Sequence, residues 1–156
     1  MSDVAPIDIR TLSYAEHFIT WVLRTAVACA PECRMIHREF CHAFGTRHAE
    51  GAQAFEGVLL ALARGGRSIA LARPGHIHLT HDETSLMALF AAAQVRDEAR
   101  FCAHARWVLG HDRTGPLYDA ATCLTSLLYR NGHVFRTQPP EQAMVIDVQT
   151  RRLHVV

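Results

Sequence analysis

Ser68-Ile69-Ala70-Leu71-Ala72-Arg73-Pro74-Gly75-His76-Ile77-His78-Leu79-Thr80-His81-Asp82-Glu83 is the stretch on which the fold turns. Residues 68–72 form a short apolar run, and Pro74-Gly75 suits the centre of a type II turn. His76 to Leu79 then reads as a returning strand. Thr80-His81-Asp82-Glu83 has the form of a capping box, with acids in the first turn where the helix dipole favours them. One antiparallel hairpin at about 68–79, set among helices, is the expectation.

The flanks read as helix. Ser13-Tyr14-Ala15-Glu16 is a second capping box and opens a helix running to about Ala30. Its apolar residues Tyr14, Phe18, Trp21, Val22 and Leu23 spread around the circumference, which marks a central helix or a subunit contact. Pro31 suits the first turn of a second helix, which continues to Phe44 and is capped by Gly45. A third spans about Arg47 to Arg64 and stops at Gly65-Gly66. Beyond the hairpin, the helix opened at Thr80 carries Leu86, Leu89, Phe90 and Ala93. Two more cover about Asp97 to Leu109 and Pro116 to Arg130. After a Pro-Pro linker, Met144 to Val148 and Leu153 to Val156 read as strands. The expected fold is mainly α: a compact bundle of five to six helices in a single domain, 1–156, with the hairpin and C-terminal β-strands beside it.

Composition bounds the function. The chain has 156 residues, 11 histidines, five cysteines, 16 arginines and no lysine. That length suits one well-buried core. Arginine nearly balances the 15 acids, which argues against nucleic acid as a partner. Without lysine there is no Schiff-base chemistry and no phosphate-loop lysine. Met1 to Arg10 lacks the apolar core of a signal peptide, and charged residues interrupt every apolar run before about 18 residues. Five unpaired-looking cysteines suit a reducing, cytoplasmic setting.

Histidine is the usual biological metal ligand, so its clusters are the candidate sites. On an extended segment His76 and His78 point to one face, and His81 and Glu83 begin the next helix. His76, His78, His81 and Glu83 are therefore the first candidate set, for zinc or another transition metal with an open position for water. The spacing of His76, His78 and His81 resembles the H-x-H-x-D-H run of metallo-β-lactamase-like hydrolases over six residues. Thr80 stands where that family has a metal-binding aspartate, and the chain is shorter than its αββα sandwich. The family's activity is accordingly not carried over. The structural alternative assigns Thr80 and Glu83 to the cap and the histidines to a solvent-facing edge.

Cys33, His37 and Cys41, spaced by four on one helix, are the second candidate set. Residues eight apart lie about 12 Å apart along a helix axis, so one metal takes His37 with Cys33 or with Cys41, and further ligands come from elsewhere. The alternative is packing, because free cysteine behaves as a small hydrophobe.

No nucleophile elbow, zinc-protease helix or paired-cysteine motif is present. The leading expectation is a small helical domain of non-enzymatic, regulatory or protein-interaction character, working through a homodimer or another protein partner and not at a membrane. A metal-binding protein or metal-dependent hydrolase, and a small-molecule sensor with a pocket between helices and hairpin, are the alternatives. Histidines buried in their neutral form would make the fold weaken as pH falls through about 6.

Overall fold

A computed structural model describes residues 5–29 and 33–136. Among these, six α-helices follow one another: α1 Tyr14–Ala28, α2 Arg34–Phe44, α3 His48–Ala63, α4 His81–Gln94, α5 Glu98–Leu109 and α6 Gly115–Arg130. Single 3-10 turns cover Ile9–Thr11 and Gly45–Arg47. The tail read as strands at 144–148 and 153–156 lies outside the described residues.

The helix starts follow from local chemistry. Ser13 and Thr80 each accept a hydrogen bond from the backbone N–H three residues on, while Glu16 and Glu83 reach back to the capping residue's own N–H. Each pair satisfies two donors that a helix N-terminus otherwise leaves bare. Asp97 caps α5 through the Arg100 N–H, and α5 ends on Gly110 in the left-handed region at φ 72.

The core is built on rings and branched side chains. Phe18 of α1 meets Phe40 and Phe44 of α2 at 5.8 and 5.6 Å between centroids, and Phe40 meets Phe55 of α3 at 5.5 Å. Phe90, Phe101, Leu117, Leu124 and Leu128 fill the other half, where α4 lies against α5 and α6. Helix α1 buries residues around most of its circumference, including Glu16 and Arg24. After α6 the chain returns across the bundle. Phe135 is buried beside Phe90, and the Arg136 guanidinium grips Glu16 at 2.7 Å.

The hairpin at 68–79 is not formed, and no β-strand occurs among the described residues. Two extended segments do flank a turn of the expected kind: the His76 N–H donates to the Arg73 carbonyl, and Gly75 sits at φ 88. They do not pair with each other, because other groups take their edges. The Ala70 and Ala72 N–H groups donate to the Asp82 and Glu83 carboxylates, at 2.7 and 3.0 Å. The Arg24 guanidinium donates to the His76 and His78 carbonyls, at 2.7 and 2.9 Å. The opposite edge of 77–79 bonds to the N-terminal segment, Ile9 N–H to Ile77 and Leu79 N–H to Ile7, around a lone bridge between Asp8 and His78. Residues 68–80 are thus a strap clasped by side chains.

Candidate metal centre

The first candidate set does not converge. Glu83 is buried, and both its oxygens are occupied. Oε1 accepts from Arg24 Nε at 2.7 Å and from Ala72 N–H, while Oε2 accepts from Arg24 Nη2 and Thr80 N–H, both at 2.8 Å. Burial alone would raise its pKa, but the Arg24 guanidinium and the two backbone donors outweigh that and hold it below the ordinary glutamate value. Four donors leave this carboxylate no free direction for a metal. The His76 and His78 rings lie 6.1 Å apart, and His81 is exposed as the first residue of α4. The carbonyls of the first two, not their imidazoles, are what the fold uses.

Of the second set, His37 and Cys41 meet and Cys33 does not join them. Cys33 is the N-cap of α2 and packs half-buried against the core. His37 Nε2 lies 3.7 Å from Cys41 Sγ, one helical turn away. The third partner is His48, the first residue of α3. Its ring stands edge-on to His37, with centroids 5.4 Å apart. One donor atom from each of His37, Cys41 and His48 falls within 4.8 Å of the others, the only such histidine, cysteine and carboxylate cluster among the described residues.

The local fold explains the meeting. Gly45 ends α2 with φ at 58, a backbone angle that favours glycine, and the Gly45–Arg47 turn starts α3 at once. The first residue of α3 therefore returns beside the last two turns of α2. Sequence spacing had marked His37 and Cys41 because they lie four apart on a helix. His48 is on another helix, and its only sequence signal is a histidine three residues after a glycine stop.

The distances suit a metal. Zinc sits about 2.0–2.1 Å from an imidazole nitrogen and about 2.3 Å from a thiolate. At a tetrahedral angle those bonds place the two donors about 3.6 Å apart, close to the 3.7 Å between His37 Nε2 and Cys41 Sγ. His37 is exposed, and His48 and Cys41 are half-buried, so small side-chain rotations can close the triangle. A fourth position would face solvent.

A separate groove lies where α1 and α3 meet the strap. Its volume is about 660 Å³, and Leu23, Ala26, Leu59, Leu62, Ile69 and Leu71 line it. No described helix is long and apolar enough to cross a membrane. Compared with known protein families, curated proteins and solved structures, the chain matches none.

Proposed function

We propose that this helical protein binds a transition metal, with zinc the best fit, through His37, Cys41 and His48. The observation that carries the reading is the 3.7 Å separation of His37 Nε2 and Cys41 Sγ with His48 alongside. Two imidazoles and one thiolate form a donor set of borderline softness, which suits zinc better than magnesium or calcium. The ion would tie the end of α2 to the start of α3. Its open coordination position would accept water or a side chain of a partner protein, in keeping with a regulatory or protein-interaction module. A hydrolase at His76, His78 and His81 is the competing metal reading. The apolar groove supports a small-molecule sensor as a further one.

The test is elemental analysis of protein purified without chelator or nickel resin. About one equivalent of zinc is expected in the parent protein, and His48→Ala and Cys41→Ser should each weaken binding at least tenfold, an effect as large as losing a supporting outer-shell group. Background metal, or undiminished affinity in both variants, would overturn the reading. Metal that leaves only with His76→Ala/His78→Ala would move the site to the strap.

A further inference from the structure

A second concavity, with different chemistry, lies where the end of α3 faces the loop between α5 and α6. Its volume is about 430 Å³. Leu60, Ala61 and Pro116 give it an apolar floor, and Arg64, His111 and Arg113 stand at its edge. Leu60, in the last turn of α3, is half exposed there.

The edge carries the positive charge of Arg64 and Arg113. Among the described residues no carboxylate lines the cavity. Among the described residues neither Arg64 nor Arg113 belongs to an ion pair. Asp112, the nearest acid in sequence, lies 3.6 Å from Arg106. The His111 ring has a fixed sense: its Nδ1 accepts the Arg113 N–H at 3.1 Å, which leaves the Nε2 proton to donate outward. Helix α6 starts beside the cavity with no side-chain cap and no acid in its first turn, so its dipole adds to the same sign.

We infer that this cavity binds a small organic anion, with a carboxylate or phosphate head held by Arg64, Arg113 and His111 and a compact apolar body on Leu60, Ala61 and Pro116. The volume falls within the range of about 300–1,000 Å³ usual for small-molecule sites. Two guanidinium groups offer planar, charge-assisted hydrogen bonds to such a head. Arg64 and Arg113 are exposed, so removing their charge leaves the core untouched. The site is independent of the metal reading.

The experiment is an NMR titration of backbone amides with phenyl phosphate, repeated with inorganic phosphate and with the Arg64→Gln/Arg113→Gln variant. Phenyl phosphate should give saturable shifts at Leu60, Ala61, His111 and Arg113. Loss of the two charge-assisted partners should weaken it by about tenfold or more, and inorganic phosphate should bind weaker by a similar factor because it leaves the apolar floor unused. An absence of saturable shifts, or unchanged binding in the double variant, would overturn the site. Equal affinity for inorganic phosphate would overturn its amphipathic character.

Discussion

At the scale of single residues, Gly51 shows how little helix propensity says about a packed position. In sequence it is a weak point inside α3, about 1 kcal/mol poorer than alanine. In the fold a Cβ at this position would collide with the Phe44 ring, which is fully buried. Gly51→Ala should therefore destabilise the protein by about 1–3 kcal/mol, the usual cost of overpacking, despite the better propensity; urea unfolding followed by circular dichroism would measure it. The same close approach of α2 and α3 accounts for what was and was not legible at the metal centre. His37 and Cys41 announce themselves by their spacing. His48 does not, because its place depends on the turn at Gly45 and on how tightly Phe44 seats against α3. Glu83 errs in the other direction. As a bare residue type it looks like a ligand, yet its oxygens are filled by Arg24, which lies 59 residues earlier in the chain.

At the scale of elements, the helices were readable because their ends carry local signals. Both capping boxes, Asp97 before α5 and Gly110 after it, act within a few residues of themselves. The strap was misread because a short apolar run and a Pro-Gly turn reveal extended backbone on either side of a turn but not what will pair with its edges. Those partners are Arg24 in the middle of α1 and two acids whose sequence position already had a sufficient explanation in the helix dipole. The Arg24–Glu83 pair is the centre of this arrangement, with both side chains almost completely enclosed, at 3% and 2% exposure. Removing Arg24 strands the buried Glu83 charge and leaves the His76 and His78 carbonyls without this donor. Arg24→Leu should cost about 3–5 kcal/mol, read as a lower midpoint in thermal or urea unfolding. Arg24→Leu/Glu83→Leu should recover part of that loss, since the orphaned charge is gone.

At the scale of the whole molecule, the charges set the response to pH. For Glu16, Asp82 and Glu83 burial pushes the pKa up, but hydrogen bonds and the adjoining arginines prevail and leave each below its ordinary value. A depressed carboxylate stabilises the fold fully above its unfolded value, 4.5 for glutamate, and loses that contribution as pH falls through the lower folded value. No histidine among the described residues is fully buried. His104 and His133 are depressed, by burial first and then by Arg100 and His42 respectively. The unfolded chain takes up their protons more readily, so stability declines gently as pH drops below 6.5. A melting-temperature profile should be level above neutrality, slope slightly below pH 6.5 and fall steeply below about 4.5. The acid limb begins where the clasps on the strap and on the chain after α6 let go. Those clasps hold peptide groups at 70, 72, 76 and 78, and a peptide group is the same whatever side chain it bears. At those four positions the side chain could therefore change while the path of the strap stayed put, whereas Gly75 and Thr80 are held to their residue types by the turn and the cap. The constraint those four positions escape falls instead on Arg24, far off in α1, and on Asp82 and Glu83 at the start of α4, which grip backbone and not side chains there.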